Sequence, residues 1–242
     1  MMAARSVKNR MRRWSIRLAL VSVVLLIGYL FRYDVAEVVR DWLGIDLPVN
    51  PRPAGVSDLE WCERNYQDEI AALSKTYQVS YPYLMALIVL ECKGNRPAGH
   101  RYERHVYERL RQLREGKLER YEALRQHHLS GLDDHALKAM ASSWGPFQIM
   151  GYKAVALEVP VATLRNESTA AEIGVRWIHA EYGHFLAKKK FRDAFHYHNT
   201  GKRFPLSGLS QTHNPYYVSD GIRYMEYYSR RDPTTRQTIE PG

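Results

Sequence analysis

The stretch LMALIVLECKG, Leu84 to Gly94, places a carboxylic acid at the end of an unbroken apolar run. Two readings follow for Glu91. Either a buried helix has reached water and Glu91 is its first wet residue, or Glu91 stands at the rim of a cleft, partly desolvated. In the second case burial disfavours the charged form, the pKa rises, and the group becomes a proton donor near neutral pH. Its neighbour Cys92 is one of only two cysteines, the other being Cys62. Their spacing is wrong for a metal pair. They are either a disulfide, if the domain sits in an oxidising compartment, or two small buried apolar residues. The ten histidines, including His196 and His198, show no HExxH or comparable ligand spacing. No metal and no cofactor is expected.

Charge narrows the partners. The formal net charge is +9, but Arg5, Lys8, Arg10, Arg12, Arg13 and Arg17 crowd the N-terminus without an acid among them. The basic character therefore belongs largely to a tail and not to a folded face, which argues against nucleic-acid binding. Directly after the tail comes LALVSVVLLIGYLF, Leu18 to Phe31, uncharged and closed by Arg32. It is short for a bilayer span, but Trp14, Ser15 and Ile16 extend it and the flanking arginines can snorkel. No small-x-small cleavage site follows, so the segment reads as an uncleaved signal anchor. The positive-inside rule puts the N-terminus in the cytoplasm and the rest across the membrane.

Residues 1–17 are thus a basic cytoplasmic tail and 18–33 a transmembrane signal anchor, with the lipid bilayer as a partner. Residues 34–56 hold a short juxtamembrane helix and a linker stiffened by Pro48, Pro51 and Pro53. Residues 57–242 form the globular domain. There Ser57 or Asp58 caps a helix running to about Tyr77, with Leu59, Cys62, Tyr66, Ile70 and Leu73 on one side. Pro82 opens the next helix and Gly94 closes it. Surface helices are expected from Glu103 to about Arg125. Another starts after Ser130 or Asp133, and more cover Ala170 to Ala187, Phe191 to Tyr197 and Val218 to Ser229. No segment alternates as a sustained strand. The class is mainly α, many short helices around one core.

Four stretches, in this order, resemble the motifs of the lysozyme-like lytic transglycosylases, the superfamily of the soluble lytic transglycosylases and goose-type lysozymes. YQVSYPYLMALIVLECKG is similar to the first motif, a helix entered through a Pro-containing turn and ended by a catalytic Glu followed by Ser. SSWGPFQIMG, Ser142 to Gly151, resembles Gly-Leu-Met-Gln-Ile. YHNTG, Tyr197 to Gly201, resembles Ala-Tyr-Asn-Ala-Gly, and NPYYVSDGIRYMEYY resembles the closing segment. SWGPFQIMG, with YERHVYERL before it, is also similar to bacterial N-acetylmuramidases of the same superfamily. The resemblance spans about Ser57 to Tyr228. Two departures stand out: Cys92 replaces the usual Ser, and the stretch between the first two motifs is long, about 50 residues.

The resemblance implies a lysozyme-like multi-helix domain that cleaves peptidoglycan glycan strands at the MurNAc-GlcNAc bond. Glu91 matches the catalytic acid, Gln148 the glutamine, Asn199 the asparagine and Tyr217 the tyrosine of the motifs. Gln148 is then a partner for a sugar acetamido group or a brace for Glu91. Asn199 is a ligand or a plain helix C-cap, and Tyr217 an orienter of Glu91, a sugar platform or a core residue. In a transglycosylase one carboxyl group suffices. Glu91 protonates the leaving oxygen, the substrate's acetamido group stabilises the oxocarbenium-like state, and Glu91 then activates the muramic acid's primary hydroxyl. A hydrolytic muramidase, such as a phage endolysin exported by a signal anchor, would use a second acid for water. The candidates are Glu103 and Glu108. A non-catalytic glycan-binding module of an envelope complex is the alternative of another class. Both lines point to a single-pass protein of a bacterial inner membrane, with its domain periplasmic or extracellular.

Overall fold

The computed structural model describes residues 51–235. The chain divides into two compact units, Met1–Pro51 and Arg52–Gly242. The basic tail, the signal anchor and the juxtamembrane helix lie outside the described residues. Among those described, no helix is long and apolar enough to cross a membrane. The last residues of the Pro-rich linker belong with the domain, since Arg52 pairs with Asp58 and donates to the Lys93 carbonyl.

Helix α1, Asp58–Tyr77, begins where the sequence places it. The Ser57 hydroxyl accepts from the Glu60 amide, and the Glu60 carboxylate accepts from the Ser57 amide at 3.0 Å, a capping box. Its buried residues Cys62, Tyr66, Ile70 and Ser74 recur every fourth position, a single stripe facing the core. Helix α2, Tyr81–Cys92, is buried around nearly its whole circumference until Leu90, as an unbroken apolar run requires. It therefore occupies the centre. Lys93 and Gly94 end it, both in the left-handed region. A Cβ on Gly94 would come within 2.5 Å of the Cys62 backbone, so glycine is what lets the end of α2 lie against α1.

Helices α3 (Arg104–Arg114), α4 (Asp134–Met140, capped by Asp133) and α5 (Lys153–Ala156) lead to the longer α6 (Glu167–Ala187), α7 (Phe191–Thr200) and α8 (Tyr217–Ser229). The main packing on α2 comes from α8 and α1, and α6 meets both α1 and α7. Tyr83, Tyr182 and Phe195 are fully buried at the centre, with the Tyr83 and Phe195 rings 4.6 Å apart.

The mainly α class holds, with two corrections. Five short strands are present among the described residues. β1 (His100–Tyr102), β4 (Ser142–Trp144) and β5 (Ile149–Met150) form an antiparallel sheet in the order β1-β4-β5, with Arg101 opposite Ser143 and Ser143 opposite Met150. β2 (Arg120–Tyr121) and β3 (Leu124–Arg125) form a hairpin. Strands of two or three residues cannot display a two-residue period, so the sequence hides them. The helices expected up to Arg125 also stop sooner. α3 ends at Arg114, Gly116 turns the chain in the left-handed region, and the hairpin follows. α3, α4 and the hairpin close over a second core of Val106, Leu110, Leu113, Leu124, Leu137 and Met140.

Candidate active site

Glu91 lies in the last turn of α2, at the negative end of the helix dipole, where a carboxylate is disfavoured. Its side chain keeps 18% of its exposure. It is neither a wet helix end nor sealed in the core. Burial pushes its pKa up to about 7, against the opposing effects of a hydrogen bond from Tyr217 and the nearby Arg101 charge. The carboxyl group is thus poised to hold a proton at neutral pH and to take one back.

Tyr217 supplies that hydrogen bond from the first turn of α8, its hydroxyl donating to Glu91 Oε1. Burial, and then the neighbouring carboxylate, hold the Tyr217 pKa well above the ordinary phenol range, so it remains a donor. Of the three roles the sequence leaves open for this tyrosine, the contact is the orienting one. Oε2 has no hydrogen-bond partner among the described residues, so it is the free oxygen of the pair.

His198 completes the immediate surroundings and was not singled out from the sequence. Its Nε2 lies 3.7 Å from Glu91 Oε1, and its side chain is 5% exposed. Burial pushes its pKa down to about 3, so the imidazole is neutral and the contact is no ion pair. The hydrogen bonds select its tautomer. The Phe147 carbonyl can only accept, so Nε2, 3.1 Å away, carries the proton. Nδ1 then accepts from the Tyr182 hydroxyl at 2.7 Å, which itself accepts from the Tyr83 hydroxyl at 3.1 Å. A signal for His198 did exist: Phe191, Ala194, Phe195 and His198 share one face of α7 at helical spacing, three apolar residues and one polar.

Gln148 is held by its own neighbourhood. Its Oε1 accepts from the Ser143 hydroxyl at 2.7 Å, and its Nε2 donates to the carbonyls of Gly145 and Gly99 at 3.0 and 3.3 Å. It neither touches Glu91 nor offers an unused N–H. It ties the turn between β4 and β5, the turn that also carries the Phe147 carbonyl, to the loop before β1. Its backbone is left-handed at φ 47°, and these bonds hold it there. Asn199 is exposed one residue beyond His198, and its side chain makes no hydrogen bond among the described residues. Gly201, not Asn199, is the left-handed C-cap of α7. Asn199 is therefore open to a ligand.

Neither suggested second carboxylate contacts Glu91. Glu103 stands at the N-cap position of α3 and pairs with Arg101 at 2.7 Å and His105 at 3.5 Å. Glu108 pairs with Arg111 at 2.9 Å along the same helix. The cysteines require a correction to the disulfide alternative, for both are free, buried thiols. Cys62 Sγ faces the Met85 carbonyl at 3.7 Å, and Cys92 Sγ faces the carbonyls of Ile88 at 3.3 Å and Asn95 at 3.6 Å. Burial pushes the Cys62 thiol up to about 12 and Cys92 well above the ordinary thiol range.

No family profile matches this chain, and no curated protein does. Among solved structures it is similar to the crystal structure of Burkholderia AP3 phage endolysin, with a TM-score of 0.47 and 23% identity over 71% of this chain and 76% of that one. At that level the likeness assigns this chain neither a family nor a reaction.

Proposed function

We propose that this chain is a peptidoglycan lytic transglycosylase acting on the MurNAc-GlcNAc bond, with Glu91 as acid and then base. The observation that carries the reading is the Glu91–Tyr217 pair at the end of a buried helix. It supplies one carboxyl group with a raised pKa, a fixed Oε1 and a free Oε2. Oε2–H protonates the leaving glycosidic oxygen as the C1–O bond breaks. The substrate's acetamido oxygen stabilises the positive charge at C1. The Glu91 carboxylate then takes the proton of the muramic acid's primary hydroxyl, whose oxygen closes on C1 to give an anhydro sugar. The immediate neighbours of Glu91 suit this one-carboxylate scheme, being a phenol and a neutral imidazole. The four motifs resembling lytic transglycosylases favour the same substrate. The N-terminal segment, read as a signal anchor, would hold the domain outside the inner membrane, where peptidoglycan lies.

A hydrolytic muramidase is the second reading. Arg101 influences Glu91 and also pairs with Glu103, so Glu103 is the better placed of the two further acids. Mass spectrometry of digested peptidoglycan separates the readings. Anhydro ends are expected, whereas reducing ends would select the hydrolase. Full activity in Glu91→Gln would overturn both.

A further inference from the structure

One residue away from the catalytic group, on the far side of His198, lies a cluster that the proposed reaction does not use. The Trp177 ring of α6 meets the His198 ring edge to face at 5.7 Å. Over Trp177, 4.2 Å from its centroid, sits the Lys153 ammonium at the start of α5. Lys153 is half-buried, yet its ammonium makes no hydrogen bond or ion pair among the described residues. A desolvated ammonium without a hydrogen-bonded anion is unfavourable, and here burial lowers its pKa. Two carboxylates act on it from further off, Glu122 and Glu181. Both are exposed, and each is steadied by a phenol: Tyr152 donates to Glu122 at 2.9 Å, and Tyr197 donates to Glu181 at 2.8 Å. A cation and two carboxylates held by phenols, drawn from three separate elements, act on one another without pairing directly.

We infer that Lys153 and Glu181, with Trp177 and Tyr197 as the apolar floor, bind the zwitterionic end of a peptidoglycan stem peptide. The stem hangs from the muramic acid whose bond Glu91 would cleave, so a peptide site is needed one group away from that acid. A stem ending in a diamino acid carries a free carboxylate and a free amine. The carboxylate matches the unpaired Lys153 ammonium, and the amine matches the outward face of Glu181. The stem specificity rests on the peptidoglycan reading above. Its test uses binding alone, so the two can fail separately.

The experiment is calorimetric titration of the chain in mild detergent with a synthetic N-acetyl-alanyl-γ-glutamyl-diaminopimelate tripeptide, whose one free amine is that of the diamino acid. A second titrant is the same peptide with its free amine acetylated and its terminal carboxylates amidated. The free peptide is expected to bind at least tenfold more tightly than the capped one. Lys153→Met and Glu181→Gln should each remove most of that difference, and Lys153→Arg should retain part of it. Melting curves establish that the variants fold, and Glu181→Gln, on an exposed position, serves if Lys153→Met disturbs His198. Equal binding of free and capped peptides, no binding of either, or undiminished binding in folded Lys153→Met or Glu181→Gln would overturn the site. Absence of glycan products with peptide binding intact would overturn the reaction instead.

Discussion

Tyr217 and Glu91, 126 residues apart in the chain, meet in a single hydrogen bond from the phenol to Oε1. The bond stabilises the carboxylate over the acid, so it restrains a pKa that burial drives upward. It also fixes which oxygen is left for chemistry. Tyr217→Phe should therefore raise the Glu91 pKa and move the alkaline limb of the pH–rate profile to higher pH. Loss of a hydrogen bond to a charged group should lower kcat/KM by roughly tenfold to a hundredfold. An unmoved alkaline limb would mean that Tyr217 does not act on the titration of Glu91.

Glu91→Gln keeps the side chain's shape and removes the transferable proton. Peptidoglycan cleavage, followed as release of soluble glycan fragments, should fall by about a hundredfold to ten-thousandfold. Glu103→Gln and Glu108→Gln should do far less, since neither carboxylate touches Glu91. A loss at Glu103 comparable to that at Glu91 would favour hydrolysis.

Stability should depend on pH through two buried groups of opposite sign. Glu91 has its folded pKa raised from 4.5 to about 7. Its contribution is fully present below pH 4.5 and is lost as the pH rises through 7. That loss amounts to about 3 kcal/mol at full ionisation, and Glu91→Gln should abolish it. His198 is depressed from 6.5 to about 3. Its contribution is present above pH 6.5 and is lost as the pH falls toward 3. Urea unfolding of the wild type and Glu91→Gln from pH 4 to 9 measures the first, and the same comparison with His198→Gln from pH 3 to 7 measures the second. Parallel curves of the wild type and Glu91→Gln between pH 4.5 and 7 would contradict the burial of Glu91.

Free-thiol labelling checks the cysteines. The unfolded, unreduced protein should take two labels, and the folded protein should label very slowly, because both thiols are buried and held protonated. No label on the unfolded, unreduced chain would establish the bridge instead.

The orientation expected from the basic tail and apolar segment is read with reporters fused after Gly242. A periplasm-dependent reporter should be active there, and a cytoplasm-dependent one silent. The reverse pattern would refute export.

The helices that position Glu91 were legible because their caps and periodicity are local. Ser57 with Glu60, Pro82, and the apolar run to Leu90 each act within a few residues. Glu91 itself was legible as an acid at the end of such a run. Its pKa was not, because the burial and the Tyr217 hydroxyl come from elsewhere in the chain. The protein partners of Gln148 are not legible in the sequence. Its bonds run to Ser143, Gly145 and Gly99 across a sheet too short to leave a pattern. His198 is hidden in the sequence because it works singly, through Tyr182 and the Phe147 carbonyl, and shares no ligand spacing with another histidine.

The bonds from Tyr83 through Tyr182 and His198 all point the same way and stop at a backbone carbonyl, which cannot pass a proton on. The line is a dead end, not a wire. Glu91 stands outside this line; among the described residues its hydrogen bond comes from Tyr217, whose phenol is held protonated. In the proposed reaction the proton that Glu91 gives up would be regained from the substrate or from water in front, with His198, neutral and locked in one tautomer, as a fixed wall beside the acid.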